Sequence, residues 1–129
     1  MTAFQYAAKF VCGKPSADEV APGVYFTAIN VHNPTERDVV FRKKVAIAGR
    51  REQLGPVSEY FDARLGRDQA LEIDCQDIRE HAPSREGFLK GFVVIESDID
   101  LDVVGVYTAA GDDGQVRALD VERVRPRGM

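Results

Sequence analysis

The feature that most limits what this chain can fold into is an alternation of period two. In FQYAAKFVC, residues 4–12, Phe4, Tyr6, Ala8, Phe10 and Cys12 share one face, while Gln5 and Lys9 point the other way. Successive side chains of a strand leave on opposite sides, so this is the signature of a half-buried strand. The run VYFTAINV, 24–31, is apolar on both sides for most of its length, which predicts a central strand. In 38–48, Val39, Phe41, Val45 and Ile47 alternate with Asp38, Arg42 and Lys44, which predicts one wet face.

Gly55-Pro56 then breaks the chain. Val57, Phe61 and Leu65 alternate with polar residues, Gly66-Arg67-Asp68 turns, and Leu71, Ile73 and Cys75 run back. Residues 76–82 have room for one or two helical turns, with Asp74 as N-cap and Pro83 as the stop. GFVVIES and LDVVGVYTA read as buried strands rich in β-branched residues. GDDGQ, 111–115, is a hairpin turn, VRALDVERV a last strand, and RPRGM a frayed tail. Seven or eight short strands with turn signals between them and no long helix predict a single all-β domain over 1–129. The expected form is an Ig-like antiparallel sandwich with one short helical turn near 76–82. The expected core contains Phe10, Ile29, Val31, Phe41, Val45, Ile73, Phe92, Val94, Val104 and Val106.

Composition narrows the function classes. The 129 residues are 44% hydrophobic and 29% charged, a globular balance, and the formal charge of −4 disfavours nucleic acid or an acidic membrane as partner. No apolar run approaches the roughly 18–20 residues of a membrane-spanning helix, so membrane insertion is not expected. No signal peptide is visible at the start, which makes the cytoplasm the default compartment.

The candidate sites are few. His32-Asn33-Pro34-Thr35 sits where a two-sided apolar strand stops. Asn33 can bond its own backbone and Pro34 presets the bend, so a corner is the first reading and a loop ligand site, with Tyr60 nearby, the second. Cys12 and Cys75 both fall on apolar faces. They are either a bridge between facing strands or two buried thiols; the absence of a signal peptide favours free thiols, and a bridge would favour secretion. His32, His81, Cys12 and Cys75 suit zinc by type, but no two lie within five residues of each other, so no metal site is expected. Glu96, Asp98, Asp100 and Asp102 alternate, yet alternate residues of a strand lie about 7 Å apart. A solvated turn is therefore favoured over a calcium site, and a hydrolase or lyase using the carboxylates Asp98 to Asp102 is the enzymatic rival. Arg42, Lys43, Lys44, Arg50 and Arg51 lack interleaved aromatics for single-strand nucleic acid, and Arg42 and Lys44 read as protection of an exposed strand edge.

The blocks KFVCG at 9–13, INVHNP at 29–34, GFVVIES at 91–97, VYTA at 106–109 and LDVERV at 119–124 resemble a family of small, uncharacterised bacterial β-sandwich proteins. In layout the chain is also similar to the small β-sandwich transducers associated with bacterial sensory rhodopsins. Both resemblances imply a fold, and neither carries an activity or a functional residue.

The expected function is non-catalytic: no nucleophile, base or metal set has orienting partners at a readable spacing, and no cofactor is implied. Strand 24–31 is apolar on both faces, whereas a lone sandwich buries one face per sheet. One of its faces, that carrying Val24, Phe26 and Ala28 or the opposite one, therefore needs a cover, and a second copy of the chain is the commonest one. A homo-oligomeric assembly, adaptor or signalling module that binds a protein partner is expected; a sandwich that binds a carbohydrate or other small ligand through its loops is the alternative.

Overall fold

A disulfide between Cys12 and Cys75 ties a strand of one sheet to the start of the short helix that directly follows an edge strand of the other, with Cα atoms 5.7 Å apart. The computed structural model describes residues 2–16 and 18–129. Its elements are β1 (Phe4–Cys12), β2 (Val24–His32), β3 (Val39–Ala48), β4 (Leu54–Val57), β5 (Phe61–Leu65), β6 (Ala70–Asp74), α1 (Cys75–His81), β7 (Leu89–Ser97), β8 (Asp102–Ala110), β9 (Val116–Arg123) and β10 (Arg127–Gly128). One antiparallel sheet runs β10-β1-β7-β3, with β4 and β5 following each other along the far edge of β3; the other runs β6-β2-β8-β9. The chain is thus an all-β sandwich.

The core lies between the sheets. Phe10, Ile29, Val31, Phe41, Val45 and Ile73 are buried, as the alternation predicts. Phe92, Val94, Val104 and Val106 are not core residues. Phe92 is 41% exposed, and Val93, Ile95 and Val103 fill the interior instead. Both parities of GFVVIES and DVVGV are apolar, so alternation there has no phase. A one-residue change of phase turns every side chain to the other face. Neighbouring strands set that phase: Gly91 lies opposite Phe10 and Ile47, both on inward positions. A Cβ at Gly91 would approach the Ala46 carbonyl oxygen to 2.0 Å, so only glycine lets β7 come this close to β3.

The sheets close along one side. Gly13, at φ +107, carries the chain out of β1 to exchange two backbone bonds with Tyr25 of the other sheet. The buried Thr27 hydroxyl donates to the Val11 carbonyl at 3.0 Å and accepts from the Val11 amide at 2.9 Å, satisfying part of the β1 edge. The disulfide lies in the same region, where the Thr27 amide donates to Cys75 Sγ. Free thiols are the sequence expectation, and the bridge corrects it. Alternation places each sulfur on an apolar face, but which elements meet across the closed side is decided by the strand order.

Three other expectations change. Gly55-Pro56 does not end pairing: β4 runs through it as a short edge strand, where a proline without an N–H is tolerated. The tail is not frayed, since Arg127 and Gly128 pair with Gln5 and Phe4. β3 is no exposed edge, because β7 lies on one side of it and β4 and β5 on the other. The helix forms where its caps place it. Asp74 accepts from the Asp77 amide, Asp77 accepts from the Asp74 amide, and the two make a reciprocal capping box.

Candidate functional site

Cross-strand registers determine what the outer face of the four-stranded sheet presents. Phe26 of β2 pairs with Thr108 of β8, which pairs with Leu119 of β9. The next row toward the opposite end of the sheet is Asp74, Ala28, Val106 and Val121, and the one beyond is Glu72, Asn30, Val104 and Arg123. The centre of this face is apolar, with acidic residues along the β6 side and Arg123 on the β9 side. Phe26 is 53%, Leu119 64% and Val121 60% exposed. Val24, Phe26 and Ala28, which the sequence singles out, all lie here. Val24 and Ala28 are half-buried and Phe26 is exposed. What the sequence does not reveal is that β9 completes the surface. VRALDVER alternates only over Leu119–Glu122, and all eight of its residues are exposed.

His32 ends β2 at the rim of the same face. Its Nδ1 lies 2.8 Å from Asp102 Oδ2 and its Nε2 lies 2.8 Å from Asp68 Oδ1. Arg123 Nη2 donates to the other Asp102 oxygen at 3.3 Å. Two carboxylates ask for two N–H donors, so the imidazolium is the matching form. The Asp102 hydrogen bond, then the one to Asp68, raise the His32 pKa above the ordinary histidine value. Protonation is favoured in the folded chain, so the pairing stabilises fully below the unfolded histidine value, about 6.5. That contribution is lost as pH rises through the raised folded value. We expect the His32 ring to titrate above about pH 6.5 in an NMR pH series. We also expect the stability gap between wild type and His32→Gln to close toward high pH. A His32 midpoint at or below the ordinary value contradicts the geometry.

The corner itself is structural. Asn33 is fully buried, and all four of its hydrogen-bonding positions are used. Nδ2 donates to the Arg37 and Gly66 carbonyls, and Oδ1 accepts from the Thr35 amide and hydroxyl. The structure does not bring Asn33, His32 and Tyr60 together as a loop site. Tyr60 lies over the outer face of the six-stranded sheet, its ring 4.0 Å from the Arg42 guanidinium and 4.6 Å from Lys44 Nζ.

That second cluster has a carboxylate at its centre. Gln5, Glu96 and Arg42 lie side by side on β1, β7 and β3. Glu96 is 2% exposed; its Oε1 accepts from Arg42 Nε at 2.9 Å and Nη2 at 2.7 Å. Its Oε2 accepts from Gln5 Nε2 at 2.9 Å and the Tyr60 hydroxyl at 3.0 Å. Burial pushes the Glu96 pKa up, but the bonds from Gln5, Arg42 and Tyr60 and the guanidinium charge outweigh it, and the net shift is down. Every lone-pair direction of this carboxylate is occupied, so it pins three strands and the loop before β5.

The acidic run from the end of β7 to the start of β8 is likewise dispersed. Glu96 belongs to Arg42, Asp100 accepts from the buried Tyr6 hydroxyl, and Asp102 belongs to His32 and Arg123. These groups face different partners and do not converge on one point. Among the described residues no cluster of His, Cys, Asp and Glu has the arrangement to hold a metal ion. His81, on α1, stacks its ring on Phe61 at 4.0 Å, while both cysteines are committed to the bridge.

No family model matches the chain, and no curated protein sequence matches it. Among solved structures, it is similar to the crystal structure of Thermotoga maritima 1070, with a TM-score of 0.60 at 7% identity. The alignment covers 96% of this chain and 92% of that one. The likeness is one of fold.

Proposed function

We propose that this protein is a non-catalytic assembly or adaptor module that forms a homo-oligomer through the outer face of its four-stranded sheet and binds a protein partner in that form. One observation carries the reading: a contiguous apolar centre on that face, with Phe26, Leu119 and Val121 each more than half exposed. Contiguous apolar surface rimmed by charge marks a protein interface, and closed symmetric homo-oligomers are the commonest way to cover it. The dispersal of the carboxylates among structural partners supports the non-catalytic part. The quoted sequence blocks support kinship with small bacterial sandwich proteins, and the Cys12–Cys75 bridge supports an oxidising compartment rather than the cytoplasm.

Light scattering tests the oligomer. At tens of micromolar the wild type should have at least twice the 14.3 kDa mass of one chain. Val106→Asp, at the centre of the face, should run as a monomer with an unchanged circular dichroism spectrum. A monomeric wild type, or an undisturbed oligomer in Val106→Asp, overturns the proposal.

A further inference from the structure

The geometry points to one arrangement of two copies. We infer a twofold dimer whose axis runs parallel to the strands between β2 and β8, so that Leu119 of each chain enters a depression on the other and Glu72 of each meets the partner's Arg123. This rests on the oligomer reading above and deepens it.

The face is asymmetric across the strands in two independent ways. One is shape. β6 stops at Asp74, one row short of Phe26, and α1 turns away from there. The gap is a mostly apolar depression of about 350 Å³ bounded by Phe26, Ala28, Val106, Thr108 and the first residues of α1. On the opposite side of the sheet, in the row that holds Phe26 and Thr108, Leu119 projects 64% exposed. A knob and a hole thus lie in one row, on opposite sides of the β2–β8 midline.

The other is charge. Glu72, Asn30, Val104 and Arg123 form one directly paired row. Its ends are an exposed carboxylate and a guanidinium whose side chain is 71% exposed. Three strand spacings separate them, about 14 Å.

Two twofold axes lying in the interface can stack this face on itself. An axis across the strands lays β6 on the partner's β6, placing carboxylates against carboxylates and the knob away from the hole. Like charges set opposite one another cost several kcal/mol and select against a pairing. An axis along the strands exchanges β6 with β9 and β2 with β8 while keeping position along the strand. It therefore places Leu119 over the depression and Glu72 opposite the partner's Arg123 in one operation. Aligned sheets stack about 10 Å apart and about 30° off parallel. That rotation displaces the rim by about 3–4 Å, roughly one residue along the strand, which long Glu and Arg side chains span.

Sedimentation equilibrium on a charge-swap set tests the axis. Glu72→Arg and Arg123→Glu should each weaken the dimer by about tenfold, because two equivalent rim contacts change sign at once. The double variant should return to within about threefold of wild type. Arg123→Lys adds a measurement that leaves the charge in place. Carbodiimide coupling should then give an intermolecular bond between positions 72 and 123, which lie too far apart within one chain for a zero-length link. Singles without effect, a double no better than either single, or a dimer lacking that cross-link would overturn the axis. If Val106→Asp still dissociates the dimer in that case, the oligomer reading stands and only its geometry falls. A monomeric wild type overturns both.

Discussion

Reducing the Cys12–Cys75 bridge, or replacing both cysteines by alanine, lowers the unfolding free energy by about 4 kcal/mol. The bridge closes a loop with a sequence separation of 63 residues, and loop-closure entropy for a cross-link of that span gives this magnitude. The effect falls mostly on the unfolded chain, which the bridge confines. Two other ties across the same side, the Thr27–Val11 bonds and the Gly13–Tyr25 pair, survive reduction, so the fold persists at a lower midpoint. Urea unfolding with and without reductant measures it. A midpoint unmoved by reduction contradicts the prediction, and two freely alkylated thiols in protein purified without reductant contradict the bridge itself.

Arg42→Ala produces the second large loss, about 2–3 kcal/mol. Removing one partner of a buried ion pair leaves an uncompensated charge, which costs about 3–5 kcal/mol where water is excluded. Glu96 is 2% exposed, but the Arg42 side chain is 42% exposed, so water reaches part of the vacated space and the loss falls below that range. Gln5 and Tyr60 still donate to Glu96 Oε2, while Oε1 loses both of its donors. The pH dependence changes with it. The Glu96 carboxyl is held below its ordinary value, so its pairing stabilises the fold above the unfolded glutamate value, about 4.3, and is lost as pH falls through the folded value. Without Arg42 the folded value rises and acid unfolding begins at higher pH. Replacing Arg42 and Glu96 together by leucine should recover most of the loss, since the uncompensated charge goes with the pair. Equal stabilities of wild type and Arg42→Ala in chemical denaturation would contradict this account.

The candidate surface is partly legible in the sequence. Val24, Phe26 and Ala28 stand out because β2 is apolar on both sides, and a strand can turn only one side inward. The residues that shape the surface are not legible. Leu119 and Arg123 join it through the pairing of β9 with β8, and Glu72 through the pairing of β6 with β2. The depression exists because β6 ends one row early. Likewise Gln5, Arg42 and Glu96 lie 37 and 54 positions apart in the chain and become neighbours only where β1, β7 and β3 meet.

Local sequence is enough to specify the strands with a polar phase, their turns and the cap of the helix. These depend on which side of a strand carries polar groups, on backbone preference at Asp-Gly and Asn-Pro, and on side chains that bond their own backbone. The rest comes from tertiary packing. It selects the inward phase of β7 and β8, where both parities are apolar: the close approach of Gly91 to β3 breaks the tie in β7, and pairing with the inward Ile29 and Val31 of β2 does so in β8. It also brings Cys12 and Cys75 together, because strand order sets the end of β1 against the start of α1. Finally, it leaves one sheet with an apolar outer face, since a two-layer sandwich buries one side of each sheet and a central strand that is apolar on both sides must turn the other outward.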